Sequence, residues 1–200
     1  MRYAKIKDGA VANLIALRQS QEAEFPDCVP VLDELPVQIG DTYEGGRFFR
    51  DGRQVKSDLE KATEQLHTTS AAALTAAQDT CKRLDEPPAG NVGTFISGAA
   101  PWEAEREYER FDLFSYNGAV GWVKQAHTSQ AHWLPFTTGT EALYGARPAP
   151  DEDGVYPYVY NMAAEVGMRV RENGVIYVCY NPIDDLLWPP SQVAAHFRQE

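Results

Sequence analysis

The chain has 200 residues, 44% hydrophobic and 24% charged, enough apolar content for packed cores and too much for full disorder. Its formal charge of −11 argues against a duplex nucleic-acid binder, which needs a basic face to displace counterions. No run of about 18 apolar residues exists, so no membrane span is expected, and Met1-Arg2-Tyr3-Ala4-Lys5 lacks the apolar core of a signal peptide.

Composition divides the chain into strands and turns over 1–54, a helix, and short aromatic-rich strands from residue 91 onward. The expected class is α+β, mainly β. In the first segment, Asp8-Gly9 sits between Tyr3–Ile6 and the apolar run Val11–Leu17, and Gly45-Gly46 repeats the device. Such pairs accept positive φ at both turn positions, which predicts hairpins. Pro26, Pro30 and Pro36 allow extended or edge segments but no helix. A β domain of about 50 residues has a marginal core, so 1–54 is expected to dock on a partner.

Residues 55–86 form the second segment. Val55, Leu59, Ala62, Leu66, Thr69, Ala73, Ala76 and Thr80 recur in steps of four and three, with no Pro or Gly through 55–84. Pro87-Pro88-Ala89-Gly90 ends the pattern. The helix would be about 45 Å long at 1.5 Å per residue. Two readings stand. One is a coiled-coil stalk or spacer joining copies into a symmetric homo-oligomer such as a trimer. The other is a helix, or a helical hairpin broken near Thr68-Thr69-Ser70, packed on its own domains.

The third part carries an internal duplication, read as two small β-sheet modules in tandem over 91–144 and 155–200. Phe111–Gly118, then Trp122-Val123, then Trp133-Leu134-Pro135 match Gly167–Gly174, then Tyr177-Val178, then Trp188-Pro189-Pro190, with register kept within one residue. Each copy reads as strand, Asn-Gly turn, returning strand and a loop that brings back a Trp. The segment Gly145–Gly154, rich in Pro and acid, reads as the linker between them.

Trp102, Tyr108, the eight residues ending at Asn117-Gly118, and Ala126–Gln130 before Trp133-Leu134-Pro135 resemble small chitin-binding-type carbohydrate-binding modules. The first copy has Phe111 where that family favours Gly, and the second has Ala164 where the Tyr would fall. Such repeats occur in bacteriophage tail and fibre proteins as well as in secreted chitinases. Ala4–Ile15 followed by Gly40–Phe48 also resembles the start of short phage tail-associated proteins. The resemblance implies a virion component assembled in the host cytoplasm, contacting other virion proteins and surface glycan.

A sugar site would offer aromatic platforms for pyranose C–H faces. The candidates are Trp122, Trp133, Tyr177 and Trp188, together with Tyr156 and Tyr158, which share a strand face with Tyr160. Each ring could equally be the core of a small module. His127 and His132 lack further ligands for a metal site, and Ser129 with His127 lacks a nucleophile-elbow context, so a polar turn is expected. Glu103, Glu105, Glu107 and Glu109 alternate with Ala104, Arg106 and Tyr108 as a solvated face rather than an acid/base pair. No glycine-rich phosphate loop or cofactor motif is present. Cys28, Cys81 and Cys179 are read as small hydrophobes in a reducing compartment, with neither a disulfide framework nor a zinc site. Residues 87–200 carry 14 acidic against 7 basic residues, which repels polyanions.

The expectation is therefore a non-enzymatic virion structural protein of a tail, fibre or other surface attachment. The alternatives are a glycan-targeting accessory of a polysaccharide-degrading system and a tail-fibre assembly chaperone.

Overall fold

The computed structural model describes residues 1–200, apart from the side chains of Gln19, Ser20 and Glu22. Strand outweighs helix, 34% to 21%, so the chain is mainly β, with several sheets. It divides into two compact units, Met1–Gln65 and Leu66–Glu200.

The first unit holds β1 (Arg2–Lys7), β2 (Ala10–Ala16), β3 (Cys28–Val31), β4 (Thr42–Glu44), β5 (Arg47–Arg50) and β6 (Arg53–Gln54). They form one sheet in the order β3-β1-β2-β4-β5-β6. Asp8 and Gly9 take φ of 53° and 76° and close the β1–β2 hairpin, as the Asp-Gly pair predicts. Gly45-Gly46 closes β4–β5 in the same way. A third hairpin, β5–β6, turns at Asp51-Gly52 with φ of 50° and 75°. Ala4, Val11, Val31, Val37, Phe48 and Val55 form the core.

This small core also holds a charge. Asp41, 1% exposed, accepts hydrogen bonds from Arg50 Nε (2.8 Å), Arg50 Nη2 (3.0 Å) and the Gln38 amide (2.9 Å). The Arg50 hydrogen bonds hold its carboxyl below the usual aspartate value. The pair's contribution is therefore complete above the unfolded value of 3.8 and is lost as pH falls through the lower folded value. Asp41→Asn should cost the first unit about 2 kcal/mol at pH 7, the lower range for charged hydrogen bonds because Arg50 is partly solvated. Urea titrations followed by circular dichroism at pH 7 and pH 3 test this: the gap between wild type and variant should narrow at the lower pH.

The helix α1 (Asp58–Leu84) begins with a capping box. The Glu60 amide donates to Ser57 Oγ (3.2 Å) and the Ser57 amide to Glu60 Oε2 (2.6 Å). It ends with Asp85 at φ 58° and the Glu86 amide bonded to Cys81 O, a Schellman closure. Between these caps α1 is continuous, with no break at Thr68-Thr69-Ser70. Within the second unit it buries Ser70, Leu74 and Cys81, and Gln78 bonds Asp112 and the Leu113 amide. The Leu59, Ala62, Leu66, Thr69 stripe lies roughly a quarter of a turn away and stays exposed.

The second unit continues with a 3-10 segment (Gly90–Gly98), then β7 (Glu107–Tyr108), β8 (Leu113–Tyr116), β9 (Ala119–Val123), β10 (His127–Thr128), β11 (Tyr144–Pro148) and β12 (Val155–Pro157). It ends with β13 (Met162–Ala164), β14 (Arg169–Glu172), β15 (Val175–Cys179), β16 (Ile183–Leu186) and β17 (Phe197–Gln199). The sheets run β10-β7, β16-β13-β11-β9-β8 and β12-β14-β15-β17.

The duplication is written in the backbone at an offset of 56 residues, as from Phe111 to Gly167. The Phe111 amide donates to Val123 O at 2.8 Å, and the Gly167 amide to Cys179 O at 2.8 Å. Trp102 N to Ser115 O (2.9 Å) recurs as Tyr158 N to Arg171 O (3.0 Å). Left-handed residues recur too: Glu105 with Asn161, Phe111 with Gly167, Asn117 with Asn173. The pairing His127↔Tyr108 recurs as Ile183↔Ala164.

One sequence expectation gains detail and two change. First, the aromatic-Val pairs, aligned by sequence to within one residue, are offset by that one residue: Trp122 corresponds to Val178, and Tyr177 to Gly121. A one-residue shift turns a strand side chain to the other face, so the two rings are not equivalent. The pairing Phe114↔Gly121 becomes Val170↔Tyr177, so one large ring per pair is kept while its strand changes. Second, the start of the expected linker is β11, the middle strand of the five-stranded sheet, with Tyr144, Gly145, Ala146 and Pro148 buried. Third, the tandem stretches are not separate sheets. β13 and β16, from the second copy, join the sheet of the first through the parallel pairing Ala146↔Met162.

Candidate functional site

The joint between the copies is held by Asn161. At 2% exposure its Nδ2 donates to Tyr144 O (2.6 Å) and Glu141 O (3.0 Å), while its backbone carbonyl accepts from the Ala146 amide (3.1 Å). Beside this joint lies a cleft of about 650 Å³, in the usual range of small-molecule sites. Arg147 from β11, Tyr156 from β12, Glu165 and Met168 from the turn after β13, and the Pro87–Asn91 segment form its walls.

Local sequence explains the walls. Pro87-Pro88 ends the helical run, and the 3-10 segment then presses on β11 at Gly93. A Cβ there would sit 2.4 Å from Pro148 O, so only glycine permits the approach. Asp151 forms the turn before β12: its Oδ1 accepts from the amides of Asp153 (3.0 Å) and Val155 (2.9 Å). Strand alternation in β11 buries Ala146 and Pro148 and leaves Arg147 half-buried toward the cleft.

The Arg147 guanidinium is fixed from one side. Nε donates to Pro88 O (2.9 Å) and Nη1 to Ala146 O (3.1 Å), and the Trp122 ring lies 5.9 Å from its central carbon. Burial pushes its pKa below the usual arginine value, opposed by the carboxylates of Glu165, Asp184 and Asp185.

The six candidate rings are dispersed. Trp122 is 8% exposed and stacks on Phe111 at 5.9 Å and 14°, a core position. Trp133, 36% exposed, meets His132 edge-on, and Trp188 is 57% exposed. Tyr177 and Tyr158 are half-buried against the core of the second copy. Burial, followed by Tyr160 and Glu172, pushes the Tyr158 phenol up to about 12. Only Tyr156 reaches the cleft wall. Among the described residues no ring pair joins two of the six, so they do not make one stacked platform.

Other side chains noted in the sequence have structural partners. Ser129, 1% exposed, donates to Glu103 O (2.7 Å) and accepts from the Arg106 amide (3.0 Å), which ties the β7 ladder. His127 Nε2 lies 2.7 Å from the Tyr144 hydroxyl, which also accepts from Trp102 Nε1 (3.2 Å). Glu103, Glu105, Glu107 and Glu109 are exposed. Cys81 and Cys179 are buried and Cys28 half-buried, all as free thiols. Among the described residues no group of His, Cys, Asp and Glu could hold a metal, and no helix is long and apolar enough to cross a membrane.

Sequence reasoning missed Arg147, Glu165 and Asn91. The available signal was a single arginine among small and apolar neighbours in Tyr144–Pro148, obscured because the same stretch resembles a linker. No protein-family model matches the chain, and no curated protein sequence matches it.

Proposed function

We propose that this chain is a non-enzymatic virion structural protein whose duplicated β unit binds surface glycan while the remainder docks and joins copies. The observation that carries the reading is the cleft at the joint of the two copies, where Tyr156 and the polar side chains of Arg147, Glu165 and Asn91 converge. That combination suits a hydroxylated ring, which needs apolar contact on one face and hydrogen bonds at its edge. The likenesses of Trp102–Pro135 to carbohydrate-binding modules and of Ala4–Ile15 to phage tail proteins support the same assignment. Saccharide-array binding by the full chain, together with mass spectrometry of purified virions, tests both parts. A chain that is missing from finished particles is an assembly chaperone instead.

The open stripe of α1 supports the homo-oligomer. Leu59 and Leu66, 70% and 59% exposed, stand seven residues apart, as a two-helix seam requires. Intrachain packing uses Ser70, Leu74 and Cys81, so it does not compete for that stripe. Sedimentation should find an oligomer in the wild type and monomers in Leu59→Glu/Leu66→Glu. A monomeric wild type at tens of micromolar ends the stalk proposal.

A further inference from the structure

We propose that the cleft at the joint of the two copies holds a carboxylate-bearing pyranoside, an acidic sugar unit whose carboxylate is gripped by Arg147 and whose C–H face rests on Tyr156. This rests on the glycan-binding reading and names its ligand class. Arg147 has two hydrogen-bond partners, both neutral carbonyls, Pro88 O and Ala146 O. Among the described residues no carboxylate lies within 4.0 Å of it, and Nη2 has no protein partner. Glu165, Asp184 and Asp185 act on this cation only through space, so its free N–H donors are still best matched by an anion that can take two of them together, as a carboxylate does.

The other walls suit the rest of the ring. Tyr156 offers apolar surface from β12, and its hydroxyl has no protein partner. Glu165 and the Asn91 side chain also line the cleft without hydrogen-bond partners, an acceptor and a mixed donor-acceptor for ring hydroxyls. Glu165 sets a limit as well: a second negative group on the ligand would meet its carboxylate. With 14 acidic against 7 basic residues over 87–200, the surroundings repel a dense polyanion. The ligand is accordingly one acidic unit among neutral ones.

Calorimetry of the full chain with methyl glucuronide and methyl glucoside is the test, with Arg147→Gln, Arg147→Lys and Tyr156→Leu as variants. The glucuronide should bind at least about tenfold tighter than the glucoside, a charge-assisted pair's share of affinity. Arg147→Gln should remove that preference, Arg147→Lys should keep part of it, and Tyr156→Leu should weaken both sugars alike. If Arg147→Gln does not fold, the wild-type guanidinium signal in a nitrogen–proton spectrum serves instead: it should shift with the glucuronide and not with the glucoside. Equal affinity for the two sugars overturns the acidic-sugar assignment while leaving glycan binding intact. Tighter binding of a short peptide with a free C-terminal carboxylate overturns it in favour of a protein ligand. Failure of the wild-type chain to bind any saccharide on an array removes the glycan reading itself.

Discussion

Gly98→Ala should destabilise the second unit by about 3 kcal/mol or more, although it adds only one methyl group. A Cβ at Gly98 would lie 2.1 Å from the Ala71 amide nitrogen and 2.4 Å from the Ser70 carbonyl carbon. Both atoms belong to the backbone of α1, which cannot rotate away as a side chain can. The 3-10 segment would have to lift off the helix. It would take with it the hydrogen bond from Ser97 Oγ to Ser70 Oγ (2.9 Å) and the contact of His67 with Ser97 O. Gly118→Ala is the control. Its Cβ meets nothing within 4 Å, but its φ is +78°, so the cost is only the left-handed penalty of about 1 kcal/mol. All four tryptophans fall in residues 66–200, so tryptophan fluorescence in urea reports on this unit alone. A Gly98→Ala midpoint within error of wild type would show that the two segments do not approach as described.

Asn161→Ala should cost about 3 kcal/mol. The substitution deprives the buried Tyr144 carbonyl and the partly buried Glu141 carbonyl of their amide donor and places alanine at φ 64°. Asn161→Gly relieves the backbone but not the carbonyls, so it should recover about 1 kcal/mol of the loss. Asn161→Asp aims a carboxylate at two carbonyl oxygens. It should be the least stable of the three at neutral pH and should improve as acid protonates it. The order Gly, Ala, Asp by urea midpoint at pH 7 is the expected result. An alanine variant as stable as glycine would remove the backbone part of the argument.

How much of this was legible depends on the range of the cause. The hairpins at Asp8-Gly9, Gly45-Gly46 and Asn117-Gly118 follow from local turn chemistry, and the structure has them. Asp51-Gly52 carried the same signal but joined two very short strands, too brief for a hydrophobic pattern. Thr68-Thr69-Ser70 looked like a break because these residues favour caps. Their small size instead gives the 3-10 segment room at Ser70, a contact 27 residues away along the chain. The duplication was visible through its Asn-Gly turns, whereas the strand register was visible only to within one residue. Matching Trp122 with Tyr177 followed ring type, but position in the ladder pairs Tyr177 with Gly121. Gly145–Pro148 looked like a tether by composition, yet glycine and alanine there serve close packing: a Cβ at Gly145 would meet the Trp122 ring at 2.2 Å. The cleft was hidden for the same reason, since its arginine lies on that strand.

The way β13 sits on β11 bears on how such chains change length. β17 stands where β11 stands in the earlier copy, and on one side it borders no strand among the described residues. A gene that gained a third copy would therefore find a ready seat for its opening ladder. One that lost the second would expose a flank of β11 now covered by Met162.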